Sequence, residues 1–429
     1  MKENLNLSKK SFAIYGLGTT GKSVINYLKK KKVKNYYFWD DKKEIRNSFK
    51  SINKINNFSQ KLDIVDFIVL SPGINLKKTK FYKKIKQNKK KIITDIDLFF
   101  LSNSNLKSIV VTGTNGKSTT CKIIEHLFKR NKIDVKVGGN IGKPILDLKL
   151  KKKTIVIIEA SSFQLSYSKF IKPDYALILN ISKDHLDWHG TMANYINSKL
   201  NIFSNQEKNN YALLNSRNLL KKFYSNKYKG KIKFIHKNDY NKIKDKIKNS
   251  YLGLKSNEEN MTFVYALSKI FKIKLNKFLF ALKSFKGLPH RYEIFYKKKN
   301  ITFINDSKAT SFQASSLALQ SSTNIFWIVG GLPKVKDNFN RKFKKNINRA
   351  YIIGDYSKHF EKQLKFINSS KYKKIKHAVI QVLKDIQGSN KKSTVLLSPA
   401  SASYDQYKNF NHRGDEFKRI VKIYAKKYI

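Results

Sequence analysis

Short apolar runs alternate along this chain with segments whose apolar positions fall at helical spacing. In the first part the runs are Ser11–Tyr15, Asn35–Trp39, Phe67–Leu70 and Lys91–Thr94. Runs of this length, bounded by turn residues, read as strands, and strands alternating with helices predict a parallel sheet. The pattern restarts at Ser108–Val111 and continues through Thr154–Glu159 and Tyr175–Asn180, two buried-strand candidates that end in polar residues. A third series begins near Gly287, with runs at Thr302–Ile304, Asn324–Val329, Ala350–Ile353 and Thr394–Leu397. No short-period repeat is visible. The stretch 221–248 is Lys-rich with a weak pattern, and no element is assigned to it.

Length and composition narrow this picture. A chain of 429 residues exceeds one ordinary core and suggests two or three domains, and 41% hydrophobic content is enough to fold them. There is no apolar run of roughly 18 residues, so no membrane span is expected. The first apolar run, near the amino end, is too short for a secretory signal. A lone cysteine, Cys121, excludes an internal disulfide framework and fits a reducing cytoplasm; its place in a helix suggests packing. The formal charge of +60 raises nucleic-acid binding. Against it, only eight of the cations are Arg, the residue suited to bidentate phosphate and base contacts. The lysines are also dispersed, in short clusters such as 29–32, 151–153 and 297–299, and Asn, Ile, Tyr and Phe are abundant, as A/T-rich codons would supply. A solvated surface with no specific nucleic-acid partner is expected, although such a field still attracts anionic nucleotides.

Candidate chemistry concentrates at predicted strand ends. After Ser108–Val111 comes Thr112-Gly-Thr-Asn-Gly-Lys-Ser-Thr119, and then an amphipathic helix. Gly113 and Gly116 let backbone N–H groups approach phosphate, with Thr114 and Asn115 between them. Lys117 brings a positive charge to the outer phosphates, Ser118 offers a hard oxygen to Mg²⁺, and Thr119 follows. Val111 stands where the general pattern has its first Gly, so this is a shortened phosphate loop. ATP is the expected ligand. Near the amino end, Gly16-Leu-Gly18-Thr-Thr-Gly21 follows a strand and opens a helix, with Asp40 ending the next strand. That spacing also suits an NAD-dependent oxidoreductase, but no hydride-transfer constellation accompanies it, and the same loop can hold the diphosphate of a UDP-sugar. Ser71-Pro-Gly73 lies on the same carboxyl edge. Three further clusters follow the phosphate loop: Gly138–Gly142, read as a flexible turn carrying Asn140; Glu159, a carboxylate ending a buried strand; and Asn180 through Asp187, which includes His185. Each alone would be a capped helix or a solvated turn, but together they outline a Mg²⁺–nucleotide site.

With Leu288-Pro-His-Arg291 and Asn305-Asp-Ser-Lys-Ala-Thr310 added, the chain resembles the Mur ligase superfamily over essentially its whole length. The earlier motifs are shared in part with folylpolyglutamate synthases. The segment Leu397–Gly414 looks like that of the D-glutamate-adding members, and the Asp-Asn-Pro-Arg motif of the diaminopimelate-adding ones is absent. The resemblance implies an α/β fold of three domains, each a mostly parallel sheet with flanking helices. These are a Rossmann-like domain at 1–98 for the UDP substrate, a P-loop ATPase domain at 99–286, and a Rossmann-like domain at 287–429 for the amino acid. It implies a cytoplasmic, monomeric ligase that uses ATP and Mg²⁺ to join D-glutamate to UDP-N-acetylmuramoyl-L-alanine, with domain closure around the substrates. A related ligase adding another amino acid to a UDP-muramyl or folyl substrate is the alternative, and a nucleic-acid-binding P-loop ATPase a remote one.

Residue by residue, the resemblance puts the UDP end at Thr19, Thr20, Asp40, Asp41, Ser71 and Gly73, with Asn140 and His185 contacting the same substrate. Ser118 and Glu159 match ligands of one Mg²⁺. His185 matches a ligand of a second, and Lys199 matches a lysine that is carbamylated in the family. Arg291 and Asp306 correspond to ATP contacts, and Lys308, Thr310, Lys334, Ser403 and Phe410 to the D-glutamate site. Two departures stand out. Glu259-Asn260-Met-Thr-Phe263 replaces the frequent His-Asn-x-x-Asn, so that stacking by Phe263 would take the place of a hydrogen bond near adenine. Leu332-Pro333 replaces Asp-Gly in the loop before Lys334.

Overall fold

The computed structural model describes residues 5–49, 55–333 and 337–429, and the strands within them form three sheets. In the first, β1 (Phe12–Tyr15), β2 (Tyr36–Trp39), β3 (Phe67–Leu70) and β4 (Ile92–Ile93) run parallel in the order β2-β1-β3-β4. The chain reverses its winding direction at β1, which opens a crevice at the carboxyl ends of β1 and β3. The second sheet holds β5 (Ser108–Thr112), β6 (Val135–Gly139), β7 (Ile155–Glu159), β8 (Tyr175–Ile178), β9 (Tyr211–Leu214) and β10 (Lys231–Phe234). Its order is β10-β9-β8-β5-β7-β6, all parallel. β5, which leads into the phosphate loop, is therefore central and wholly buried.

The third sheet is ordered β11-β12-β16-β13-β14-β15. Its strands are β11 (Glu293–Lys298), β12 (Ile301–Asn305), β13 (Ile325–Gly330), β14 (Ile347–Ile353), β15 (Ser369–Tyr372) and β16 (Ser393–Leu397). β11 is antiparallel to β12, and the other pairs are parallel. Fully buried β13 and β16 are the near-continuous apolar runs expected of strands covered on both faces.

Contacts divide the chain into two compact units, Met1–Lys248 with Glu259–Phe285, and Asn249–Glu258 with Lys286–Ile429. The first unit holds two sheets because one apolar core runs through both. Phe12 and Ile14 of β1 share a cluster with Val110, Val156, Ile158 and Ile178, whereas the alternate residues Ala13 and Tyr15 face Phe58 and Leu62. The helix Asp95–Ser102 ties the two layers together. Thr94 and Asp97 form its capping box, and Asp97 Oδ1 accepts from the backbone N–H groups of Lys169 (2.9 Å) and Phe170 (2.7 Å). A boundary drawn between residues 98 and 99 thus falls inside a helix.

Several elements go beyond the sequence reading. The Lys-rich stretch 221–248 contains β10 and the helix Lys237–Lys244, and it begins within the helix Arg217–Ser225. Gly138 and Gly139, expected in a flexible turn, are the last residues of β6. β9, β11 and β15 were likewise not visible as apolar runs. No helix among the described residues is long and apolar enough to cross a membrane.

Candidate active site

The loop after β5 is shaped for close backbone approach. Gly113 and Gly116 both have positive φ, at 153° and 82°, and a Cβ on Gly116 would overlap the Asn260 carboxamide. The helix Lys117–Arg130 starts immediately, so its unsatisfied N–H groups face the loop. Lys117 Nζ donates to the carbonyls of Gly113 and Thr114, each at 2.8 Å. Ser118 and Thr119 are buried in the first turn.

Asn180, just past β8, fixes this loop, a role the sequence did not reveal. Its Oδ1 accepts from the N–H groups of Thr114 (3.1 Å) and Asn115 (2.8 Å), and its Nδ2 donates to Glu259 at 2.5 Å. Glu259 also accepts from Asn215 at 2.9 Å. The Thr114 hydroxyl lies 3.0 Å from Tyr195 Oη, another residue not singled out from the sequence, whose hydroxyl burial pushes up to about 12. Phe263 is 0% exposed. Its ring belongs to the core, so the expected stacking on adenine is corrected: a fully buried side chain on the helix Glu258–Ile270 has no face to offer a base.

The acidic side of the site is built on a buried carboxylate. Glu159, at the end of β7, is 2% exposed. Its Oε1 accepts from the exposed Asn140 at 2.8 Å, whereas its Oε2 and Thr112 Oγ1 are buried with no hydrogen-bond partner. An orphaned buried carboxylate oxygen is costly, and an oxygen of this kind suits a hard divalent ion. Among the described residues no three His, Cys, Asp or Glu side chains gather as a metal cluster. Lys199, on the helix Met192–Leu200, is 1% exposed, and its Nζ donates to Gly113 O at 2.9 Å. Burial, reinforced by the neighbouring Lys117 charge, pulls its pKa well below the lysine range. His185 has a left-handed backbone (φ 53°); its Nε2 is 3.4 Å from Asp184 Oδ2 and its ring packs on Phe163.

At the carboxyl edge of the first sheet, Gly16 (φ 94°) touches the β3 loop, and Ser71 Oγ donates to its carbonyl at 2.7 Å. Asp40 is buried against the glycine loop, accepting from Leu17 N (2.8 Å) and Lys42 N (3.0 Å), which makes it a holder of loop geometry. Asp41 accepts from Tyr15 Oη at 2.6 Å and Trp39 Nε1 at 3.0 Å. Thr19 and Thr20 begin the helix Thr19–Lys30, and Gly73 is exposed. A cavity of about 620 Å³, lined by Leu17, Gly18, Thr19, Lys22, Ser23 and Asp147, opens beside this loop.

In the second unit, the loops after β12 and β16 meet. Lys308 Nζ lies 3.8 Å from the centroid of the Phe410 ring. Ser403 is buried, Thr310 half-buried, and Lys334 lies outside the described residues. Asp306 accepts from Ser398 Oγ (2.7 Å) and Tyr292 N (3.1 Å). Burial pushes its pKa up to about 7, against the pull of these donors and of Arg291. A carboxyl whose pKa rises on folding contributes stability that is complete below its unfolded value, about 3.9, and is lost as pH climbs through about 7. Asp306→Asn is therefore expected to flatten the fall of melting temperature between about pH 4 and pH 7. An unchanged slope in thermal melts would assign that fall to other groups.

Comparison with known proteins identifies the family. Residues 10–94 match the Mur ligase MurD-like N-terminal domain, and residues 111–278 match the Mur ligase middle domain. The chain is 35% identical to a UDP-N-acetylmuramoylalanine–D-glutamate ligase of Rickettsia felis, over 97% of both chains. It is 32% identical to one of Clostridioides difficile, over 97% of this chain and 99% of that one. Among solved structures, the MurF ligase of Thermotoga maritima in complex with ADP aligns with a TM-score of 0.57 at 15% identity, covering 99% of this chain and 100% of that one, a likeness of fold.

Proposed function

The chain belongs to the Mur ligase family, and from that premise we propose that it uses ATP to join D-glutamate to UDP-N-acetylmuramoyl-L-alanine, a cytoplasmic step in making peptidoglycan precursor. The end-to-end match to D-glutamate ligases carries this reading, and the loop geometry supports it. The division of labour follows the three sheets: residues 1–98 take the UDP substrate, 99–286 take ATP, and 287–429 take the amino acid.

A carboxylate is a poor acyl donor, so it must be activated. The L-alanyl carboxylate attacks the γ-phosphorus of ATP in line, ADP leaves, and an acyl phosphate forms. Lys117 offsets charge on the transferring phosphoryl group, while the N–H groups at the start of the helix Lys117–Arg130 cradle phosphate. Ser118 and Glu159 would hold Mg²⁺, whose charge offsets that of the β- and γ-phosphates. His185 and a carbamate on Lys199 would hold a second ion. The neutral amine of D-glutamate then attacks the acyl carbon, loses a proton, and the tetrahedral intermediate expels phosphate. In this scheme Thr19, Thr20, Asp40, Asp41, Ser71 and Gly73 serve the UDP end, and Asn140 the muramyl end. Arg291 and Asp306 serve ATP, and Lys308, Thr310, Lys334, Ser403 and Phe410 serve D-glutamate. The protein's contribution is positioning and electrostatics.

The test is phosphate release from ATP with UDP-N-acetylmuramoyl-L-alanine and, in separate reactions, D-glutamate, L-glutamate and other amino acids. Turnover with D-glutamate well above every other amino acid is expected. Preference for a different amino acid would overturn the assignment.

A further inference from the structure

Arg413, on the helix Phe410–Tyr428, is 1% exposed, and its guanidinium hydrogen bonds go to carbonyls and hydroxyls only. Nε donates to Ser307 Oγ at 3.1 Å, and Nη2 donates to the carbonyls of Ser307 and Ser401, each at 2.9 Å. Nη1 donates to Ala402 O at 3.3 Å and Ser401 Oγ at 3.4 Å. The acceptors extend the network: Ser307 Oγ donates to Phe410 O at 2.8 Å and Ser401 Oγ to Gly330 O at 2.5 Å. Leu332 and Ala402 exchange two backbone hydrogen bonds of 3.0 Å. A Cβ on Gly331 (φ 126°) would come within 2.5 Å of Ser401 Oγ, so the glycine permits this close approach. One side chain thus ties together the loops after β12 and β16, and Ser401 carries the network on to Gly330 at the end of β13. Those loops carry Lys308, Thr310 and Ser403.

Such an arrangement is expensive. Burying a cation with no carboxylate hydrogen-bonded to it is costly even when its donors find other acceptors. Burial draws the Arg413 pKa down to about 10, with Asp405 opposing, so the group stays cationic at neutral pH. A neutral side chain would join the loops at lower cost. What the guanidinium adds is a planar fork that spans two backbones, and a fixed positive charge near the residues proposed to take an anionic amino acid.

We propose that Arg413 is a positioning residue of the amino-acid site, holding the Ser307 and Ser401–Ala402 backbones in the geometry that receives an amino acid with two carboxylates, and supplying charge that favours it. The inference rests on the proposed ligase reading and goes beyond it, since that reading gives Arg413 no role. Arg413→Lys keeps the charge but cannot span both backbones. It should raise the KM for D-glutamate by about tenfold or more, while the KM values for ATP and the UDP substrate stay within about twofold. Thermal melts establish that the variant is folded. Ser307→Ala removes the Nε acceptor and leaves the guanidinium, and should raise the same KM severalfold; it decides the matter if Arg413→Lys does not fold. Proportional changes in all three KM values, or an unchanged KM for D-glutamate in the folded variants, would overturn the proposal. If the unsubstituted protein prefers another amino acid, the ligase assignment fails instead, and the same KM split is then read with that amino acid.

Discussion

Lys117→Ala is expected to lower the ligation rate by at least ~10²-fold, the scale of losing one strong electrostatic stabiliser of a transition state, while leaving the fold intact. The fold should survive because the helix Lys117–Arg130 is anchored by Ile123, Ile124, Leu127 and Phe128, each no more than 1% exposed. The Lys117 ammonium takes no part in that packing. It folds back on the carbonyls of Gly113 and Thr114, from where it can turn to a phosphate. Those contacts also brace the loop, so ATP affinity should weaken along with turnover. A phosphate-release assay with ATP binding measured in parallel separates the two effects. Near-normal turnover with normal ATP affinity would remove Lys117 from the site.

What the sequence revealed and what it hid follow from one physical distinction. Strands buried on both faces, such as β5, β7, β13 and β16, must be nearly continuous apolar runs, and they were legible as such. Of the strands that were not visible, β6, β10, β11 and β15 are all sheet edges. An edge strand packs on fewer neighbours and tolerates charge; β10, Lys231–Phe234, exposes both of its lysines. The missed β9 is the exception, an interior strand beside that Lys-rich stretch. The phosphate loop was legible because glycine and lysine spacing is dictated locally by the ligand. The roles of Asn180, Glu259 and Tyr195 were not, because each acts on a loop far away in sequence, and an Asn or Tyr after a strand has many ordinary uses. Phe263 shows the converse limit. The family position leaves the adenine contact open between stacking and none, and burial decides against stacking by making the phenyl ring part of the core. In the sequence Arg413 is one residue of a motif, and its role comes from the acceptors that the fold places around it.

Lys199→Ala is expected to be severely impaired, with partial recovery when acetate or formate is supplied. Composition alone would make Lys199 one more surface lysine in a chain of +60 formal charge. Its 1% exposure refutes that. A lysine with an ordinary pKa of about 10.4 is cationic at neutral pH and cannot ligate a metal ion. Burial and the adjacent Lys117 charge lower that pKa, which favours the neutral amine over the ammonium. Its lone pair attacks CO₂, a proton leaves, and the product is an anionic carbamate with two oxygens suited to a hard cation. A shorter Asp would not reach from the same backbone position. The competing reading is that Lys199 is a structural donor to Gly113 O, 2.9 Å away. The two readings diverge in Lys199→Arg, which keeps the cation and a donor but cannot become a carbamate. The carbamate reading expects a folded but impaired enzyme, rescue of Lys199→Ala by small carboxylates, and a carbamate ¹³C signal in the unsubstituted protein supplied with ¹³C-bicarbonate. Full activity of Lys199→Arg, or no rescue together with no such signal, would leave a lysine whose only task is to hold the phosphate loop.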